Sequence, residues 1–265
     1  MRTFDDENTV ISVGFTNSLI EIAVIIIPTH NEELIIAETI EKVFNESRSA
    51  SSQYDIHILV FDSASTDNTC GVVRALQSTY RQLHLQTESR KTGLGSAYHQ
   101  AMKYALHTLR AAVIVEFDAD LSHQPKYLVP MLKYMKTTDV VVGSRYIDGG
   151  GLSEDWEWHR RSLSKFGNKI IKLMLSMPYF DLTSGFRMIR RDALIKALPT
   201  EFISSQFAYK IELYWHLHKT GSKILEFPIQ FINRSKGQSK LPKGSVIDFL
   251  SVLFELNRKR FLKRF

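Results

Sequence analysis

The chain has 265 residues, 44% of them hydrophobic, a formal net charge of +6 and one cysteine, Cys70. That apolar content supports one substantial core or two small ones, and a lone cysteine excludes an internal disulfide and suits a reducing compartment. No stretch reaches the roughly 18 apolar residues of a membrane span, Val246 to Leu256 being interrupted by Asp248 and Glu255, and no Cys/His cluster has zinc spacing.

Asp5, Asp6 and Glu7 leave the N-terminus without a basic region and argue against a secretory signal. The positive balance favours an anionic partner: phosphates, acidic lipid or nucleic acid.

In chain order, β-branched Ile22 to Ile27 predicts a buried strand and Pro28 to Glu32 a turn. Ile36, Ile40, Val43 and Phe44 give helical spacing over Glu33 to Phe44. Ile56 to Phe61 is a second strand ending at Asp62, and Asp67 to Thr79 a helix. Leu83 to Gln86 reads as a short strand, Gly95 to Leu109 as a helix and Val113 to Phe117 as a strand. Pro125 to Met135 is helical and Asp139 to Gly143 extended.

The second half is less regular. Lys165 to Leu175 and Phe207 to Lys219 read as helices, Lys223 to Ile232 as an extended segment broken by Pro228, and Ser245 to Phe265 as a terminal helix. The alternation of strands and helices predicts an α/β fold with a largely parallel sheet covered on both faces. Ligands of such sheets sit beyond the carboxyl ends of the strands. Three polar clusters fall there: His30-Asn31-Glu32, Asp62-Ser63 and Asp118-Ala119-Asp120.

The last cluster is the most informative. Two carboxylates spaced i, i+2 after a buried strand repel each other unless a cation lies between them. Hard cations such as Mg2+ or Mn2+ take oxygen ligands and share the phosphates of a nucleotide. A metal-held nucleotide site is therefore expected, with a solvated loop as the plainer alternative. Thr92 to Ala97 contains G-x-G, but Tyr98 stands where a dinucleotide fingerprint needs its third glycine.

PTHNE (Pro28 to Glu32), VFDSASTD (Val60 to Asp67), FDADLSH (Phe117 to His123), GSRY (Gly143 to Tyr146), DLTSGFR (Asp181 to Arg187) and RSKGQSK (Arg234 to Lys240) occur in that order. Together they resemble the family 2 glycosyltransferases, and more narrowly the dolichol-phosphate or polyprenol-phosphate mannose synthases. The resemblance runs from about Val24 to Leu241. It implies a GT-A-type fold, with 1–244 as the catalytic domain and 245–265 as a basic amphipathic helix.

The resemblance also assigns roles. Pro28, His30 and Glu32 would hold base and ribose, although Asn31 and its acidic neighbours also suit an ordinary helix start. Asp62 matches the acid that meets the base, but Ser63 replaces a second acid and Ala64 the usual Gly or Asn. Lys91 would lie near the nucleotide. Asp118 and Asp120, with Ala119 between them, match the D-x-D, and Ser122 stands where a Gln often assists the metal.

Arg145 would meet the acceptor or donor phosphate. Arg187 would line the same crevice or form a structural ion pair, and Lys210 would add a cation. Arg234 and Lys240 would close a flexible loop over the diphosphate, or simply form a solvated basic loop. An acid is usual around Tyr214, and Glu212 is the nearest.

The implied reaction is inverting transfer of a hexose, foremost mannose from GDP-mannose, onto a polyprenyl or dolichyl monophosphate, with catalysis by Asp120, Arg145, Arg234 and Lys240. A phosphate nucleophile is already anionic and needs no base. A saccharide or protein hydroxyl acceptor would need one, with Glu154, Asp155 and Glu212 as candidates. A non-catalytic membrane or nucleic-acid binder is the reading from another class; under the transferase reading no nucleic-acid partner is expected. Val246, Phe249, Leu250, Leu253, Phe254 and Leu256 form an apolar stripe followed by Arg258, Lys259, Arg260, Lys263 and Arg264. That pattern suits either core packing or a peripheral position on the cytoplasmic face of a membrane, held by this helix or a small membrane-protein partner.

Overall fold

A computed structural model describes residues 20–50, 52–153, 158–233 and 244–262. Nine strands and eight α-helices are described: β1 Glu21–Thr29, α1 Ile36–Ser47, β2 Tyr54–Ser63, α2 Thr69–Gln77, β3 Leu83–Glu88, α3 Leu94–His107, β4 Val113–Glu116, α4 Leu128–Tyr134, β5 Val140–Ser144, β6 Gly151–Leu152, α5 Trp158–Leu175, β7 Arg187–Arg190, α6 Arg191–Ala197, α7 Tyr209–Lys219, β8 Ile224–Pro228, β9 Gln230–Phe231 and α8 Ser245–Leu262.

Seven strands form one sheet in the order β3-β2-β1-β4-β7-β5-β8. All run parallel except β7, which pairs antiparallel with β4 and β5. β6 and β9 make a separate parallel pair. The predicted layering follows from side-chain alternation. On β1, Val24 and Ile26 pack with α3, while Ala23, Ile25 and Ile27 pack with α1. Leu59 against Ile58 and Val60 on β2, and Ile114 against Val113 and Val115 on β4, divide the same way. Every central strand is thus buried on both faces.

Two differences from the sequence reading have physical causes. First, β7 and α6 are additional elements. The β7 sequence RMIR looks too charged for an interior strand. Its arginines are paired instead: Arg187 with Glu116 across the sheet, and Arg190 with Glu21 at 3.1 Å and with the Met135 carbonyl at 2.7 Å. Second, α1 begins at Ile36 instead of Glu33, because Asn31 takes a left-handed φ of 55° and Glu33 to Ile35 form a turn closed on the Glu32 carbonyl.

The terminal helix packs on α5 and α7. Val252, Leu253 and Leu256 lie in the same core cluster as α3 and α7, so one side of this helix is integral to the domain.

Candidate active site

β2, β1 and β4 are adjacent and parallel, which sets their carboxyl ends in a row. A cavity of about 970 Å³ opens beyond these ends. Pro28, His30, Glu32, Lys91, Asp118, Ala119, Asp120, Ser122, Arg145 and Lys210 all line it. Residues spread over 183 positions of the sequence therefore meet at one place.

The loops after β1 and β2 are laced together. His30 Nδ1 donates to the Ser63 carbonyl at 2.8 Å, which fixes the proton on that nitrogen. The Asn31 amide donates to Ser65 Oγ, the Thr66 amide to Asn31 Oδ1 (both 2.8 Å) and the Glu32 amide to Thr69 Oγ1 at 2.9 Å. Ala64 sits at φ 54°, in the left-handed region that favours Gly or Asn.

Asp62 departs from the expected placement. It is buried and does not line the cavity. Thr29 Oγ1 donates to it at 3.0 Å, the Ser65 amide at 2.9 Å and Ser65 Oγ at 2.5 Å. These bonds pin β1 to the turn after β2, and the neighbouring Ser63 lines the cavity instead. Burial and the Asp62 carboxylate push the Cys70 thiol up to about 11, so it stays protonated at neutral pH.

Asp118 and Asp120 follow β4. Asp120 Oδ1 accepts from the Ser122 amide at 3.0 Å and from Ser122 Oγ at 2.6 Å. The Ser122 hydroxyl, expected as a metal ligand, thus orients Asp120. Asp118 Oδ2 lies 3.3 Å from His123 Nδ1 and 3.9 Å from Lys210 Nζ. Burial outweighs the attraction of Asp118 and lowers the His123 pKa to about 4, so this imidazole is neutral. Among the described residues no group of three His, Cys, Asp or Glu side chains forms a self-sufficient metal site. Two carboxylates bordering a cavity fit a hard cation whose remaining ligands come from phosphate and water.

Gly185, in the DLTSGFR segment, gives Lys210 its place. A Cβ there would stand 2.2 Å from Lys210 Nζ and 3.3 Å from Asp118 Oδ2. Gly93, at φ 115°, has the Ser205 carbonyl 2.3 Å from where a Cβ would be, so the loop before α3 seats directly on the chain leading into α7.

Arg145 is held by a residue that the sequence reading left without a role. Its Nε donates to Asp181 Oδ2 and its Nη2 to Asp181 Oδ1, both at 2.7 Å, while Nη2 also reaches Thr183 Oγ1 at 2.8 Å. Burial would lower the guanidinium pKa, but the charge and hydrogen bonds of Asp181, with Tyr146 and Asp118 adding to them, together more than offset it, so the pKa is raised. Asp181 is pushed up by burial and pulled further down by Arg145, ending below the usual carboxylate range.

Arg187 is corrected from a crevice residue to a structural one. It is fully buried, does not line the cavity, and pairs with Glu116 through Nε and Nη2 while Nη1 donates to the Lys210 carbonyl at 2.6 Å. Tyr209 completes Glu116 at 2.8 Å. Glu212 also faces away: Ile203 N donates to its Oε2 at 2.7 Å, and it does not line the cavity. Arg234, Lys240, Glu154 and Asp155 lie outside the described residues.

Comparisons with known proteins show the family. The family model "Glycosyl transferase family 2" matches residues 24–198. An undecaprenyl-phosphate mannosyltransferase from Micrococcus luteus is 33% identical over 222 residues, 83% of this chain and 88% of that protein. A polyprenol monophosphomannose synthase from Mycolicibacterium smegmatis is 33% identical over 224 residues, 84% and 82% respectively. A crystal structure of glucosyl-3-phosphoglycerate synthase from Mycobacterium tuberculosis, with Mn2+, UDP and glucosyl-3-phosphoglycerate, superposes with a TM-score of 0.62 at 16% identity, covering 89% of this chain and 80% of that one. The fold is GT-A-like, and the chain belongs to the family 2 glycosyltransferases.

Proposed function

We propose that this enzyme transfers mannose from GDP-mannose to a polyprenyl monophosphate with inversion, assisted by Mg2+ or Mn2+, at the cytoplasmic face of a membrane. The names of the two 33%-identical relatives support the sugar and the acceptor class. One observation from the site carries the acceptor chemistry. Among the described residues, the carboxylates lining the cavity are Glu32, Asp118 and Asp120, all on the loops after β1 and β4. The GSRY and α7 side offers Arg145 and Lys210, and the nearby Asp181 is committed to Arg145. A hydroxyl nucleophile needs a base on that side. A phosphate monoester needs only a cation to hold it.

In this account Pro28, His30 and Glu32 seat the nucleoside. Asp118 and Asp120 hold the divalent cation, which when bound neutralises charge on the leaving diphosphate. Ser122 fixes Asp120, and Lys210 adds positive charge beside Asp118. Arg145, locked by Asp181, holds the acceptor phosphate so that an oxygen faces the anomeric carbon opposite the diphosphate. Positioning and charge stabilisation then supply the catalysis. Arg234 and Lys240 are proposed to close on the diphosphate.

The test is transfer of radiolabelled sugar from GDP-mannose, GDP-glucose, UDP-glucose and UDP-mannose to a polyprenyl phosphate, with Mg2+, Mn2+ or chelator. GDP-mannose is expected to be the best donor, with activity abolished by chelation and restored by either metal. Preference for a glucose donor removes the mannose assignment, preference for UDP-mannose removes the guanine nucleotide, and activity resistant to chelation removes the cation.

A further inference from the structure

The helices α5 and α8 pack side by side. Phe166 of α5 and Val246 of α8 both line the mouth of the large cavity, and at the other end Arg260 of α8 donates to Ser176 Oγ just beyond α5. Each helix buries one side in the core: Ile171 and Leu175 from α5, Val252, Leu253 and Leu256 from α8. The opposite sides also carry large apolar side chains. Phe166 is 62% exposed, Leu173 80%, Leu250 54% and Phe254 70%. A contiguous exposed patch of large apolar side chains marks an interaction site.

Charge indicates what covers this one. The α5 sequence has five Lys or Arg and neither Asp nor Glu. At 3.6 residues per turn, Lys165 and Lys169 fall on the same exposed face as Phe166 and Leu173. Lys165, Lys169 and Lys172 also line, together with Arg145, a second cavity of about 580 Å³, where Lys172 Nζ sits 4.2 Å from the Phe180 ring centre. The α8 helix carries two acids, Asp248 bonded by Ser204 Oγ and Glu255 paired with Arg258, and its last turns add Lys259 and Arg260. Large apolar side chains interleaved with lysines, and a basic recess among them, match the interface of an anionic bilayer, whose acyl layer takes the former and whose headgroup phosphates take the latter. A second copy of the chain would bring the same lysines against themselves. No described helix is long and apolar enough to cross a membrane.

We propose that α5 and α8 together form one membrane-docking face, in which Leu173, Leu250 and Phe254 enter the acyl boundary, Lys165, Lys169 and Lys172 bind anionic headgroups, and the cavity mouth between Phe166 and Val246 is set against the bilayer. The value of that placement rests on the lipid-acceptor reading above, since it would let a polyprenyl phosphate enter without leaving the membrane. The docking itself does not depend on catalysis.

The experiment is flotation of the full chain with phosphatidylglycerol/phosphatidylcholine vesicles and with phosphatidylcholine alone, without donor sugar. Binding is expected to the anionic vesicles. Lys165→Gln/Lys169→Gln/Lys172→Gln should weaken it roughly a hundredfold, from about fivefold per lysine. Leu173→Ser/Phe254→Ser should weaken it at least about tenfold. Thermal unfolding should be unchanged in both variants, which excludes misfolding as the cause. In Leu173→Ser/Phe254→Ser, activity on a short-chain, water-soluble polyprenyl phosphate should persist while activity on vesicle-borne acceptor falls. Wild-type binding that neither variant weakens overturns the proposal. So does absence of vesicle binding by the wild type, and a change of oligomeric state in the Leu173→Ser/Phe254→Ser variant would then make the face a contact between copies. Vesicle binding by a chain that transfers no sugar would overturn the acceptor reading and leave the docking face standing.

Discussion

Asp181 grips Arg145 through both carboxylate oxygens, and its Oδ2 also accepts the Arg145 backbone amide at 2.9 Å. The two residues are 36 positions apart, on the loops that follow β5 and precede β7. A guanidinium clamped in this way presents its remaining edge in a fixed direction. The pair is buried, so removing one partner strands the other charge.

Asp181→Asn is therefore expected to cost about 3–5 kcal/mol of stability and to lower transfer about a hundredfold through misplacement of Arg145. Urea unfolding and steady-state kinetics check the two effects. The pH dependence has a definite sign. Because the folded-state pKa of Asp181 is depressed, its stabilisation is complete above the unfolded value of about 4 and is lost as pH falls through the folded value. The stability gap between wild type and Asp181→Asn should be constant near neutrality and narrow below about pH 4.

The Glu116–Arg187 pair predicts a different signature. Arg187→Met should destabilise by about 3–5 kcal/mol while the protein that remains folded keeps its KM for the nucleotide sugar. A rise in KM without a fall in Tm would return Arg187 to the crevice.

These two arginines show what was legible in the sequence. The strands β1, β2 and β4 announced themselves through runs of β-branched residues, and the polar clusters at their ends marked the cavity because parallel strands bring those ends together. Arg187 and Arg190 hid β7, since their partners Glu116 and Glu21 come from distant strands. The grip of Asp181 on Arg145 was equally invisible, because neither local spacing nor composition reports a contact made across the fold. Asp62 read as a ligand-facing acid, yet Thr29 and Ser65 turn it inward.

Ala64 offers a gain of stability. A non-glycine residue at φ 54° is strained by about 1–2 kcal/mol, and glycine's extra chain entropy returns about 0.5–1 kcal/mol of that. Ala64→Gly should raise stability by about 0.5–1 kcal/mol, seen as a Tm increase of about 1–4 °C, with activity unchanged.

Ser122 separates orientation from ligation. If its hydroxyl only holds Asp120, Ser122→Ala should weaken activation by Mg2+ or Mn2+ about tenfold and leave the maximal rate at saturating metal intact. Asp120→Asn should remove metal activation altogether. Titration of activity against each metal distinguishes the two.

The acceptor is the central claim, and a direct competition tests it. A polyprenyl phosphate and the corresponding polyprenol are presented together with labelled GDP-mannose and metal, and the products are separated and counted. Label is expected on the phosphate alone, with a rate nearly independent of pH once the acceptor is ionised. Label on the alcohol, with a rate that rises through the titration of an enzyme group, would show that the site activates a hydroxyl and would contradict the claim.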